Sequence, residues 1–267
     1  MKIINWSICF VIIFLLSLNI HILIASDQSE LFPKLKEISL DKRNPIFMFE
    51  VDEDAFETLL STKCNADFGK YLEKIKNLFS KSKLTSLLPL EMACQSFPLK
   101  KNKSMDIDVE NIKMIIAKLT SNIRSTNCLE AFLYNQQIKN FPNLEIPAEF
   151  MAYVFKKSII LPDKKTTKNK YMIILFLSDG TRFKVDTSLV KSNIKGGWSL
   201  ESHIHNHPFY LNPSDALDVG GVTSPSTNDI LISRSMKKEF GLKNVIVTNG
   251  FYTFESDCQN LEKFKTK

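Results

Sequence analysis

The sequence lacks three features that would assign it to common functional classes. None of its five cysteines lies in a C-x-x-C pair, which argues against a structural zinc finger. The lysines are scattered and aromatic residues do not interleave with them, so no nucleic-acid partner is predicted. After the first 25 residues, no stretch is long and apolar enough to cross a bilayer. Histidine is scarce, but three of the four histidines lie at positions 203, 205 and 207.

Alternation places His203, His205 and His207 on one face of an extended strand, because side chains repeat every second residue. Pro208 follows at once and cannot donate to a sheet ladder, so we expect the strand to end there with His207 at its rim. Two imidazoles side by side can share a metal ion, although alternating histidines also occur on ordinary surface strands.

A carboxylate follows at Asp229, which closes Ser226-Thr227-Asn228-Asp229 directly before the apolar-periodic run ILISRSMKKEF. This spacing predicts the first turn of a helix. Two neutral nitrogens and one carboxylate, with a fourth position for water, form the ligand set of a catalytic zinc rather than a closed structural one. Asp215 and Asp218 are alternative carboxylate ligands, but only Asp229 completes a Ser-x-x-Asp step.

Together, His205-Asn206-His207-Pro208 and the Ser-x-x-Asp step resemble the JAB/MPN/JAMM metalloprotease signature, and especially its bacterial RadC-like and toxin-associated members. The resemblance implies that His205, His207 and Asp229 bind Zn2+ and that Ser226 helps to hold the oxyanion. His203 has no counterpart in the motif, so we interpret it as a structural residue or as a support for the ligands. The spacer after Pro208 is longer than is usual in the family, so residues 209–223 are predicted to form an inserted loop beside the site.

The family also requires an upstream glutamate that acts as general base. Glu149 is the best candidate, because it directly precedes the apolar run FMAYVF, as the corresponding glutamate does in the family. The glycine that often follows this glutamate is absent. Glu145 and Glu130 are the alternatives.

The resemblance implies zinc-assisted hydrolysis of a peptide or isopeptide amide bond, with a peptide or protein as substrate. An alternative of a different class is a non-catalytic JAB/MPN-like module that binds a protein partner. A third hypothesis is a toxin domain delivered between cells. The oligomeric state is left open.

Residues 1–26 resemble a secretory signal peptide, with Lys2 before an uncharged apolar run and small residues at Ala25-Ser26. The alternative is a retained anchor helix. Export predicts a secreted or periplasmic protein without a stable membrane span after cleavage. Four cysteines remain after cleavage: Cys64, Cys94, Cys128 and Cys258. In such a compartment they predict two disulfides with three possible connectivities, and buried thiols are the alternative.

The chain divides into two further regions. Residues 27–140 read mainly as helices, with apolar stripes at 68–78 and 109–123, and their role is unknown. From about residue 141 the apolar runs become strand-like, and Asn249-Gly250 is a strong hairpin signal. We therefore expect residues 141–267 to form a JAB/MPN-like α/β sandwich with a mixed sheet, containing strands near 150–155, 171–177 and 181–185.

Overall fold

The computed structural model describes residues 34–39, 41–61, 123–141, 148–162, 165–180, 187–208 and 225–261. Within these ranges the chain forms eight strands and five helices. The strands are β1 (Lys36–Glu37), β2 (Ile46–Asp52), β3 (Ile123–Ser125), β4 (Phe150–Ile160), β5 (Thr167–Leu177), β6 (Ser199–Asn206), β7 (Asn244–Thr248) and β8 (Tyr252–Asp257). The helices are α1 (Glu53–Leu59), α2 (Cys128–Asn140), α3 (Thr187–Lys195), α4 (Thr227–Phe240) and α5 (Cys258–Leu261).

All eight strands belong to one mixed sheet, in the order β1-β2-β5-β4-β6-β7-β8-β3. Neighbouring strands are antiparallel except for β6 and β7, which are parallel. A parallel pair needs a crossover connection, and α4 is the helix within that crossover. The predicted α/β class with a mixed sheet is therefore confirmed.

The centre of the sheet is apolar on both faces. The first six residues of β4 and the last seven of β5 are all buried, which requires cover on each side. One face, which we call the α4 face, carries Met151 and Tyr153 and packs on α3, α4 and α5. The opposite face, the α2 face, packs on α1 and α2, where the Tyr134 and Phe150 rings lie 5.7 Å apart and edge to face.

Strands from the first half of the chain extend this sheet on both sides. β2 pairs with β5 and β3 pairs with β8, and Leu35–Lys267 belongs to one compact unit. The described part of residues 27–140 therefore contains three strands beside two helices, so a mainly helical region is not confirmed. Ile123, which we placed at the end of a helical stripe, begins β3 instead. The stripe at 68–78 lies outside the described residues.

Several local predictions agree with the structure. β6 ends at Asn206, two residues before Pro208, and α4 begins directly after Ser226. The hairpin between β7 and β8 turns at Asn249 and Gly250, where the glycine adopts a φ of 90°, a conformation that disfavours side chains with a Cβ. The predicted strand at 181–185, the loop at 209–223 and the signal peptide at 1–26 lie outside the described residues. In the part of the chain that the structure describes, no helix has the length and apolarity needed to span a membrane.

Two of the four predicted half-cystines lie within the described residues. Cys128 and Cys258, the first residues of α2 and α5, are buried thiols. Cys64 and Cys94 lie outside the described ranges. The predicted pair of disulfides is thus not seen at either cysteine that the structure describes.

Candidate metal and catalytic site

Strand β6 directs its histidines toward the α4 face. His205 lies opposite Met151 and His203 opposite Tyr153 in the antiparallel pairing with β4, and opposite residues of an antiparallel pair share a face. The His203 and His205 ring centroids lie 5.1 Å apart, as do those of His205 and His207. His207 follows the last strand residue, and its backbone N–H donates to the carbonyl of Thr248 at 2.9 Å. The strand therefore holds both predicted histidine ligands side by side at its end.

Helix α4 brings a carboxylate to the same place. Ser226 is its N-cap, and its Oγ accepts a hydrogen bond from the Asp229 N–H at 3.2 Å. In return, the Ser226 N–H donates to Asp229 Oδ2 at 2.6 Å, which completes a capping box. The same Oδ2 lies 3.4 Å from His205 Nε2 and 3.3 Å from His207 Nε2. The helix start thus aims one carboxylate oxygen at both imidazoles.

These three side chains could hold a metal ion. Each offers one ligand atom, and the three atoms lie within 4.8 Å of one another. Tetrahedral coordination with metal–ligand bonds of 2.0–2.1 Å requires ligand atoms about 3.4 Å apart, close to the two measured contacts with Asp229. At 3.4 Å, the contact between His205 and Asp229 is an ion-pair distance rather than a well-formed hydrogen bond.

The buried imidazole of His205 supports the same interpretation. Among the residues that the structure describes, neither its Nε2 nor its Nδ1 has a hydrogen-bond partner. A buried polar atom without a partner costs about 1–3 kcal/mol, whereas a metal bound at Nε2 would satisfy that atom.

The electrostatics of Asp229 are dominated by the two histidines. Burial by itself would raise the pKa of this carboxyl, but the charges of His205 and His207 and their polar contacts with it more than offset burial and hold the pKa well below its ordinary value. Asp229 is therefore ionised at neutral pH, as a metal ligand must be.

Glu149, the predicted general base, lies one residue before β4. Its backbone N–H donates to the carbonyl of Gly180 at 3.0 Å. Burial raises the pKa of its carboxyl to about 7, His207 acts in the opposite direction, and Asp229 raises the pKa further. Hydrogen bonds of Asn206 with the backbone at Ala148 and Phe150 place Glu149 beside the end of β6, next to the strand residues that carry the candidate ligands.

His203 lies outside this group of ligand atoms. Its side chain is buried, and its pKa is lowered to about 3, chiefly by burial and then by the neighbouring His205. Neither of its ring nitrogens has a hydrogen-bond partner within the described part of the chain. His203 is therefore a neutral ring packed between Tyr153 and His205.

Glu130, an alternative general base, is held away from this site. It is fully buried, forms an ion pair with Arg124 and accepts a hydrogen bond from Thr253 Oγ1 at 2.7 Å. It also closes the capping box of α2 with Asn127. Three further candidates from the sequence lie outside the described residues: Glu145, Asp215 and Asp218.

One residue of the site was not singled out from the sequence. Asn206, between the two histidine ligands, is fully buried and hydrogen-bonds the backbone on either side of Glu149. Its position in the strand predicts only that its side chain points to the other face of the sheet from those of the histidines. The contact with a segment more than 50 residues earlier depends on the pairing of β4 with β6.

Comparisons with models of known protein families, with curated proteins and with solved structures find no match. The likeness to the metalloprotease signature therefore rests on the motif residues and on the way in which the fold gathers them.

Proposed function

We propose that this chain is a zinc-dependent hydrolase of the JAB/MPN/JAMM type, which cleaves a peptide or isopeptide amide bond outside the cytoplasm. The observation that carries the proposal is the convergence of three separate segments. His205 and His207 at the end of β6 and Asp229 in the first turn of α4 bring their ligand atoms within 4.8 Å of one another, and hydrogen bonds with Asn206 hold the backbone on either side of Glu149 beside the same strand end. Export is inferred from the signal-like residues 1–26.

The metal would be held by Nε2 of His205, Nε2 of His207 and Oδ2 of Asp229. When bound, zinc supplies a Lewis acid for the scissile carbonyl and a water whose pKa falls to about 7. The backbone N–H of Ser226 fixes the orientation of the Asp229 carboxylate, in the way that hydrogen bonds commonly orient metal-ligating carboxylates. The backbone of His205 is paired on both sides within β6, and that of His207 is held by its hydrogen bond to Thr248, so both imidazoles project from a restrained backbone.

Glu149 would transfer the proton. A carboxyl with a pKa of about 7 can accept a proton from the attacking water and donate it to the leaving amine with little energetic penalty at neutral pH. Partial burial of Glu149 also limits exchange of this proton with bulk solvent.

Ser226 would stabilise the oxyanion that develops on the substrate carbonyl. Its Oγ already accepts a bond from the Asp229 N–H, so the hydroxyl proton is available for donation to a second acceptor. A positioned donor of this kind typically contributes about 10²–10³ in rate.

The non-catalytic alternative has one observation in its favour. The capping box explains both Ser226 and Asp229 as residues that begin a helix, without any chemistry. A JAB/MPN-like module that binds a protein partner is therefore the second candidate.

Metal content distinguishes the two candidates. Elemental analysis of the purified chain should give about one zinc per chain, and a His205→Ala/His207→Ala double variant should have none. Peptide and isopeptide-linked peptide libraries would then be screened for cleavage. Glu149→Gln is expected to retain zinc and to lose about 10²–10⁴ in kcat, the usual contribution of general acid–base catalysis.

No zinc in the wild-type chain, even after zinc is supplied, would refute the hydrolase. One zinc per chain with no cleavage of any substrate class would favour the binding module.

A further inference from the structure

Asn206 lies between the two candidate histidine ligands, but its side chain points to the other face of the sheet. His205 and His207 project toward the α4 face, whereas Asn206 projects toward the α2 face, because successive strand residues alternate. The side chain is fully buried. A buried primary amide must satisfy both its donor and its acceptor groups, so its partners indicate what it does.

Both partners of Asn206 flank Glu149. The Oδ1 atom accepts a hydrogen bond from the Phe150 N–H at 2.5 Å, and Nδ2 donates to the Ala148 carbonyl at 3.4 Å. The regular backbone pairing of β4 with β6 reaches only to Met151 and His205. The Asn206 side chain thus continues the connection between the two segments where the backbone ladder stops.

The opposite side of the same segment is also tethered. The Glu149 N–H donates to the carbonyl of Gly180, just after β5. Three consecutive residues, 148–150, are therefore held by one short and one long hydrogen bond to Asn206 on one side and by one to Gly180 on the other. These bonds keep the backbone of Glu149, and so the origin of its side chain, beside the end of β6.

We propose that Asn206 is a positioning residue, which holds the backbone around Glu149 so that its carboxylate faces the metal ligands. This inference rests on the proposed hydrolase function. The role needs a donor and an acceptor in one short side chain. Asparagine supplies both, aspartate supplies only acceptors, and alanine supplies neither.

The first test measures the hydrogen bond from the Phe150 N–H to Asn206 Oδ1 directly, without reference to activity. In the 15N-labelled chain, the Phe150 amide should exchange with solvent at least about tenfold faster in Asn206→Ala than in the wild type, because its acceptor is lost. Asn206→Asp keeps an acceptor for this amide and should protect it better than Asn206→Ala does. Zinc content should stay at about one per chain in both variants, since the three ligands are unchanged.

The second test shows whether Asn206 acts through Glu149. On a peptide or isopeptide substrate, Asn206→Ala should lower kcat by about 10–100-fold with little change in KM, since misplacement of a catalytic group by about 1 Å can cost 10²-fold. In the Glu149→Gln background, the same substitution should lower kcat less than about twofold, because coupled residues are not additive.

Thr253→Val is the matched control. It removes another buried hydrogen bond, the one from the Thr253 hydroxyl to Glu130, and should lower stability without lowering kcat by more than about twofold.

Unchanged Phe150 exchange in Asn206→Ala, or an undiminished loss of kcat in the Glu149→Gln background, would overturn the positioning role. Loss of zinc in Asn206→Ala would also overturn it, since Asn206 would then support the histidines instead. The hydrolase itself would be refuted by a different result, a wild-type chain that binds no zinc and cleaves nothing. Failure of the positioning role is therefore distinguishable from failure of the proposed function.

Discussion

Replacement of Asp229 by asparagine removes one negative charge at the point where α4 meets β6. The amide oxygen of the new side chain has the geometry to accept the hydrogen bond from the Ser226 N–H that Asp229 Oδ2 now accepts at 2.6 Å, so the start of the helix should persist. What is lost is the anionic oxygen that lies 3.3 and 3.4 Å from the two imidazole nitrogens.

The expected loss of metal affinity can be bounded from the smaller loss that follows when a hydrogen-bond partner of a metal ligand is removed. Loss of a group that merely hydrogen-bonds a metal ligand typically costs 10–100-fold in affinity. Asp229 would be a ligand itself and the only charged one, so the loss should exceed 100-fold, or about 2.8 kcal/mol. The metal-free chain should still fold, because the cap is retained, but it should be less stable than the wild type, because the lowered pKa of Asp229 means that its ionised form stabilises the folded chain.

Zinc affinity would be measured by competition with a chromophoric chelator, and stability by chemical denaturation. Asp257→Asn is the matched control, because Asp257 also accepts a backbone hydrogen bond at a helix start, from Gln259 at 2.6 Å, but lies outside the candidate site. Zinc affinity in this control should equal that of the wild type.

Wild-type affinity in Asp229→Asn would refute the ligand assignment. The carboxylate ligand would then have to be sought between the two motif segments, and Asp215→Asn and Asp218→Asn would identify it.

Three further predictions concern stability, each measured by chemical denaturation of the chain. Tyr153→Phe should leave the free energy of unfolding unchanged or raise it by up to about 1 kcal/mol, since the buried Tyr153 hydroxyl has no hydrogen-bond partner among the described residues; a loss above about 1 kcal/mol would contradict this. Glu130→Gln should cost about 1.5–3 kcal/mol, because it removes the buried carboxylate partner of Arg124 and leaves that guanidinium with the partly exposed Glu255 alone, and a change below about 1 kcal/mol would show that the ion pair is dispensable. Gly241→Ala should cost about 1–2 kcal/mol, because Gly241 ends α4 at a φ of 73°. A Cβ added at Gly180 would also meet no atom within 4 Å, so Gly180→Ala should be neutral or gain about 0.4–1 kcal/mol. Equal effects of the two substitutions on the free energy of unfolding would contradict the argument from backbone conformation.

The local parts of the site could be predicted because each depends on a short sequence period. Two-residue alternation places His205 in β6 and His207 just after it on the same side, and the four-residue capping pattern places Asp229 in the first turn of α4. Glu149 was proposed by its resemblance to the family pattern. Its proximity to the histidines depends on the register between β4 and β6, which no local pattern sets.

The parts that could not be predicted depend on pairing between distant segments. β2, with the sequence IFMFEVD, pairs along its whole length with β5, more than 100 residues later. Ile123 fits a helical stripe by spacing alone, but it pairs with Phe254 at the edge of the sheet. In both cases the strand is stabilised by a partner far away in the sequence, and tertiary contacts of this kind override local preference.

The topology of the sheet explains why the predicted ligands meet. Since β6 and β7 are parallel, the chain must return across the sheet between them, and α4 runs opposite to β6 on its way back. The N-terminus of α4 therefore lies near the carboxyl end of β6, where His207 is. At a helix N-terminus a capping carboxylate turns back toward the preceding residues, and the helix dipole stabilises its negative charge there. The capping box thus holds the Asp229 carboxylate at the end of α4 that faces both histidines.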